Sequence, residues 1–160
     1  MAYTVFVMKK ILILLGNPDV ETYTGALADH YQASAEDAGH EVVRFNIGDM
    51  QFDPVLHQGY RSIQELEPDL LDFQEKVRWA DHLVIIYPNW WCTMPAKLKG
   101  LFDRVWLPGF AFNFDPNDQK MQRALRGKSA RVIVVAGMYS PFKTWWLFGD
   151  YTNEIQHGIL

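Results

Sequence analysis

Three short aliphatic runs, separated by helical patterns, constrain the fold of this chain more than any other feature. Lys10-Ile11-Leu12-Ile13-Leu14-Leu15 carries no polar residue after its first and stops at Gly16-Asn17-Pro18. A strand with one wet face alternates apolar and polar residues, so an unbroken run of this length fits a strand covered on both faces. His82 to Tyr87 and Arg131 to Ala136 repeat the pattern, and Glu41 to Asn46, centred on Val42 and Val43, adds a fourth strand. Between them the spacing changes to that of helices. Ala26, Leu27, Tyr31, Ala35 and Ala38 share one helix face, closed by Gly39. Leu70, Phe73, Val77 and Ala80 mark a helix within Leu66 to Ala80. Pro95 to Val105 reads as a helix with proline in its first turn and Leu98, Leu101, Phe102 and Val105 on its inner face. Asp150 to Leu160 predicts a last helical segment. Strands alternating with helices imply a parallel sheet with helices on both faces.

A length of 160 residues predicts one domain spanning 1–160. Met8-Lys9-Lys10-Ile11 reads as a natural start, which makes residues 1–7 an N-terminal extension. Ala2 to Met8 is too short to span a membrane and lacks the charged start and cleavage site of a signal peptide. With 49% hydrophobic residues the chain has material for a core, which argues against disorder. A net charge of −4 without a dominant basic cluster argues against nucleic acid as the main partner. Cys92 is the single cysteine, so no intrachain disulfide and no cysteine-based metal site can form. The five histidines are scattered without an HxxxH pair, so no metal site is expected. One cysteine suits a reducing, cytoplasmic setting.

In open α/β sheets ligands sit outside the carboxyl ends of the strands. Three loops lie there. Gly16 to Thr24 joins the first strand to its helix, and Thr22 and Thr24 place hydroxyls beside a helix N-terminus suited to phosphate. It matches neither a P-loop nor GxGxxG, and ordinary N-capping by Thr22 or Thr24 is the commoner use of such residues. The second loop, Pro88-Asn89-Trp90-Trp91-Cys92, holds adjacent tryptophans able to pack on a flat aromatic ring, with backbone amides from Asn89 to Cys92 facing its polar edge. Neighbouring side chains of an extended segment point opposite ways, so one indole is expected in the core and one in the site. Cys92 has no neighbouring histidine and reads as a small loop residue rather than a nucleophile. The third loop, Ala136-Gly137-Met138-Tyr139-Ser140-Pro141, offers close backbone approach at Gly137 and a hydroxyl donor at Tyr139. A plain turn with Tyr139 half-exposed is the alternative.

Two further segments stand out. Phe110, Phe112 and Phe114 alternate after the third helix and predict an extended piece with one apolar face. Trp145-Trp146-Leu147-Phe148 adds a second apolar patch. Such faces need cover, from the chain's own core or from a second copy in a homodimer.

The first loop, the tryptophan loop with Pro95-Ala96-Lys97-Leu98-Lys99-Gly100, and Pro108-Gly109-Phe110-Ala111-Phe112 together resemble the NAD(P)H:quinone oxidoreductases of flavodoxin-like fold. The resemblance runs from about Lys9 to Leu160 and is most specific from Pro88 to Phe114. It implies a three-layer α/β sandwich with sheet order 2-1-3-4. It also implies a flavin at the strand ends, FAD or in some branches FMN. The activity it implies is ping-pong hydride transfer from NAD(P)H through the flavin to a quinone, in a homodimer with the site at the interface. By resemblance, Asn17 takes the place of a phosphate-loop histidine, and Thr22, Tyr23 and Thr24 match the phosphate contacts. Pro88, Asn89, Trp90, Trp91 and Cys92 match the isoalloxazine loop, and Trp91 also faces the substrate pocket. Ala136, Gly137, Met138 and Tyr139 match the loop at the pyrimidine end, with Tyr139 as the catalytic hydrogen-bond donor. Phe112 and Phe114 match aromatics that wall the partner subunit's pocket.

Three departures qualify the match. Met138-Tyr139-Ser140-Pro141 replaces the family's Thr-Gly-Gly. Phe148 falls where mammalian members carry a histidine, so no charge relay is carried over. The family continues into a fifth strand where this chain ends at Leu160, so a four-stranded sheet and a truncated C-terminus are expected. Other readings of the same residues are a regulatory subunit of a potassium-efflux system, an electron-carrier flavodoxin, and a truncated member with impaired flavin binding.

Overall fold

The computed structural model describes residues 7–117, 119–137, 155 and 159. Four parallel strands form the main sheet: β1 (Lys10–Leu15), β2 (Glu41–Asn46), β3 (His82–Pro88) and β6 (Ser129–Val135). Their order is β2-β1-β3-β6. This is the order expected from sequence, with β6 as the predicted fourth strand. Between β3 and β6 in the chain lies a small antiparallel hairpin, β4 (Phe112–Phe114) with β5 (Met121–Arg123). The helices are α1 (Tyr23–Asp37), α2 (Pro68–Trp79) and α3 (Ala96–Val105). Of the predicted last helix only Ile155 and Ile159 fall among the described residues.

The aliphatic runs behave as their composition requires. Leu12, Leu14, Leu83, Ile85 and Tyr87 pack on one side of the sheet with Leu70, Phe73 and Val77 of α2 and Leu98, Leu101, Phe102 and Val105 of α3. Ile11, Ile13, Leu15, Val84 and Ile86 point to the other side, against Ala28 and Ala35 of α1. Alternate residues of each central strand therefore feed two different cores, which is why β1 and β3 contain no polar residue beyond their first turn of sequence. The central strands are buried after their first residue, whereas the edge strand β2 is mostly half-exposed.

One face assignment needs correction. Ala26 and Ala38 are exposed, and the buried stripe of α1 runs through Thr24, Gly25, Ala28 and Ala35 with Leu27 and Tyr31 at its flank. Alanine carries so little hydrophobic signal that its spacing alone left the phase of the helix open. Gly39 does close it, at φ 80°, with its N–H on the Glu36 carbonyl.

The excursion between β2 and α2 is fastened by a buried cation. Arg104, 1% exposed, donates to both oxygens of Glu67 at 3.2 and 2.8 Å, to the Glu65 carbonyl at 2.6 Å and to the Asp53 carbonyl. A desolvated guanidinium is tolerated only with such a set of acceptors.

Candidate functional site

The ladders of the central strands run on to the carboxyl edge and bring the three loops side by side. Gly16 donates to the Ile86 carbonyl at 2.7 Å, Ile47 to Leu15 at 3.0 Å, and Asn89 to Val135 at 2.8 Å. Thus the loops after β1, β2, β3 and β6 leave the sheet at neighbouring points.

The first loop is a closed hydrogen-bond web. Thr22 is the N-cap of α1: its Oγ1 accepts from the Gly25 N–H at 3.3 Å and donates to the Asp19 carbonyl at 3.1 Å. Asn17 is buried, and its Nδ2 donates to Thr22 Oγ1 at 3.1 Å and to Thr24 Oγ1 at 2.9 Å, while its Oδ1 accepts from the Asp19 N–H. Capping is therefore what Thr22 does, and Asn17 and Thr24 spend their side chains on the loop itself. What this leaves is backbone. Among the described residues, the N–H groups of Tyr23 and Thr24 have no acceptor. Unpaired amides at the positive end of a 15-residue helix make an anion-binding end.

The tryptophan loop departs from expectation. Trp90 N–H donates to the Thr93 carbonyl at 2.9 Å and Thr93 N–H returns to Trp90 at 3.2 Å, closing a two-residue turn. Its central residues, Trp91 (φ 53°) and Cys92 (φ 65°), are both left-handed. This is the φ pattern of a type I′ turn, normally filled by Asn and Gly. The turn removes the extended geometry on which the one-in, one-out reading of the indoles rested. Trp90 is 47% and Trp91 99% exposed, so neither is core. Of the four amides from Asn89 to Cys92, two are used by the protein, leaving those of Trp91 and Cys92 without an acceptor among the described residues. Among the described residues, Asn89 Oδ1 is buried with no hydrogen-bond partner. A buried acceptor in that state needs an explanation, and a ligand N–H is one.

Ala136 and Gly137 continue from β6 beside Asn89, and Gly137 is exposed. Met138, Tyr139 and the 145–148 apolar patch lie outside the described residues. Phe112 and Phe114 lie on the hairpin, their rings edge to face at 5.5 Å. Phe114 (54% exposed) and its cross-strand partner Met121 (58%) form an uncovered apolar pair.

The donor set suits a flavin phosphate ester. It offers unpaired amides for an anion, an orphaned carbonyl oxygen for a ring N–H, and two indoles with free faces. Sequence reasoning placed these loops but missed the orphaned Asn89 oxygen and the left-handed turn, neither of which has a local signature.

A parallel sheet with its loops gathered into a phosphate-type cap and an aromatic platform at the carboxyl edge is the architecture of a nucleotide-cofactor α/β domain. The chain belongs to the family described as flavodoxin-like fold, whose family model matches residues 9–158. It is 32% identical to a ribosyldihydronicotinamide dehydrogenase-like protein of Penicillium crustosum, over 94% of this chain and 67% of that protein. It is 28% identical to a ribosyldihydronicotinamide dehydrogenase [quinone] of Pongo abelii, over 95% of this chain and 75% of that one. Among solved structures, an FMN-dependent NADH-azoreductase from Bacillus anthracis in complex with FMN shares the fold, with a TM-score of 0.67 at 20% identity, over 95% of this chain and 80% of that one. The resemblance read from the sequence is borne out at the level of the family.

Proposed function

We propose that this chain is a flavin-dependent NAD(P)H:quinone oxidoreductase. The observation that carries the reading is the meeting, at one sheet edge, of the Tyr23 and Thr24 amides with the buried Asn89 oxygen, all without a partner among the described residues. The names of the relatives at 32% and 28% identity support the same reaction class.

In this reading the α1 N-terminus binds the phosphate of the cofactor through backbone amides and helix dipole. Asn17, Thr22 and Thr24 hold the loop that carries those amides. Asn89 orients the ring by accepting its N–H, with Pro88 behind it and the Trp91 and Cys92 amides nearby. Trp90 and Trp91 cover the ring and keep water from it. Ala136, Gly137 and Met138 bound the pyrimidine end, and Tyr139 donates a hydrogen bond at the reacting edge. The bound flavin, FAD or FMN, supplies the hydride relay between NAD(P)H and a flat, electron-poor acceptor. Phe112 and Phe114 wall the pocket of a second copy, which gives the exposed Phe114–Met121 pair its cover and makes the working form a homodimer. The single cysteine suits the cytoplasm.

The test is a visible absorption spectrum of the purified protein, with and without added flavin, followed by NAD(P)H-driven quinone reduction. Expected are flavin bands and turnover, with released cofactor identified as FAD or FMN. A protein that stays colourless with excess of either flavin and reduces no quinone overturns the reading.

A further inference from the structure

A lysine in the first turn of a helix stands against the helix dipole, which favours anions there. Lys97 occupies that position in α3, one residue after its start. Its Nζ turns away from the helix and donates to two backbone carbonyls of the loop after β2, Met50 at 2.8 Å and Gly48 at 3.3 Å. The ammonium also lies 5.5 Å from the centre of the Phe52 ring, a cation–π distance. One half-buried cation thus grips three residues of a loop 45 or more positions away in sequence.

That loop has a second neighbour. A Cβ placed on Gly48 would lie 2.0 Å from the Pro18 carbonyl oxygen. The backbone at 48 is therefore pressed against the first loop with no side chain between them. Ile47 ties the same stretch to β1 by its bond to Leu15. The contacts form one line: Lys97 holds Gly48, Gly48 backs Pro18, and Pro18 precedes the Asp19–Thr22 cap that aims the Tyr23 and Thr24 amides.

We infer that Lys97 is a positioning residue for the anion-binding loop, acting through Gly48 and Pro18 rather than by touching the ligand. The inference rests on the flavin reading for its ligand, but its mechanical part does not. Without the ammonium, the carbonyls of Gly48 and Met50 lose their donor and the backing of Pro18 slackens. The cap then holds the two amides less well, and a phosphate bound by them is held less tightly. The ring half of the site, on β3 and β6, is untouched.

Hydrogen exchange on the flavin-free protein tests the mechanical part. Lys97→Met keeps the apolar stem over Phe52 and removes the donors; Lys97→Arg restores a cation. Faster exchange confined to residues 16–25 and 46–52 is expected in Lys97→Met, with recovery in Lys97→Arg. Exchange unchanged there, or raised across the whole protein, overturns the inference. The ligand part compares FMN with riboflavin, which lacks the phosphate. Lys97→Met is expected to weaken FMN about tenfold, the order of the charge-assisted hydrogen bonding that the loop loses from its support, and to leave riboflavin within about twofold. Equal loss for both flavins overturns it. Wild-type protein that binds neither flavin overturns the flavin reading instead, and the exchange result still decides the role of Lys97.

Discussion

The backbone of Gly25 passes so close to Val20 that a Cβ built on it would stand 1.9 Å from the Val20 carbonyl oxygen. This contact closes the first loop against the first turn of α1, and it lies one residue beyond Thr24. Gly25→Ala must push Val20 away and break the cap that Thr22 makes to the Gly25 N–H. The expected cost is about 1–3 kcal/mol, the usual range for overpacking a filled site. Thermal denaturation should show a loss of several degrees, together with weaker phosphate or flavin binding. An unchanged melting temperature would mean that the loop has room the contact denies.

Glu67 accepts from Arg104 with both oxygens and from the Asp53 N–H at 3.0 Å. Burial raises its carboxyl pKa, but the Asp53 N–H and the guanidinium outweigh it, and the group stays below the usual carboxylate range. Glu67→Gln leaves a 1%-exposed guanidinium without its counter-charge. The expected loss is about 3 kcal/mol, the lower end for breaking a buried pair, because Glu67 itself is partly exposed. Urea denaturation of the variant reads it directly. Arg104→Met combined with Glu67→Leu should lose less than the sum of the two single changes, since no charge is then stranded.

Which features were legible depends on whether their cause is local. The strands were readable because double-sided burial writes itself as an aliphatic run, as in Ile11 to Leu15. The face of α3 was readable because leucine and phenylalanine mark it, whereas the alanine-rich stripe of α1 was misphased. The strand Met121–Arg123 was not readable, since three exposed residues owe their conformation to pairing with Phe112–Phe114 alone. The Arg104–Glu67 pair spans 37 positions and follows no periodicity. In the site, the phosphate-type loop could be located but not resolved. Thr22 as cap and Tyr23 and Thr24 as amide donors differ only by which atom faces out. The indoles were misassigned because nothing in Trp91-Cys92 announces a left-handed turn.

That turn carries its own consequence. Left-handed φ costs a non-glycine residue roughly 1–2 kcal/mol in a helix context, and Asn-Gly is the pair that relieves it in a two-residue turn. Replacing Trp91 by Asn and Cys92 by Gly together should therefore raise stability by about 1 kcal/mol, visible as a higher urea midpoint. The same change removes an indole that is 99% exposed, so flavin affinity should fall while the fold gains. A stabilised variant with full flavin affinity would remove Trp91 from the site.

At the opposite, amino end of the sheet, His82 sets a pH dependence. Its Nδ1 lies 2.8 Å from Ser129 Oγ, across the β3–β6 pair. Burial disfavours the imidazolium, and the charges of Lys9, Arg131 and His40 add to this. A hydrogen bond to the Ser129 backbone opposes them only in part, and the pKa falls below its usual 6.5. The sign follows from proton binding. Below 6.5 the unfolded chain takes up the proton before the folded one, so stability declines as pH drops through 6.5 toward the folded value and levels off beneath it. His82→Gln keeps a polar partner for Ser129 but cannot titrate. The difference in unfolding free energy between wild type and His82→Gln should therefore be constant above about pH 7 and shift against the wild type as pH is lowered toward 5. The other histidines and the carboxylates are common to both proteins and cancel in that difference. Urea denaturation at half-unit pH steps gives the curve; a difference that does not move with pH, or moves toward the wild type in acid, would show that the folded protein accepts a proton on His82 without penalty.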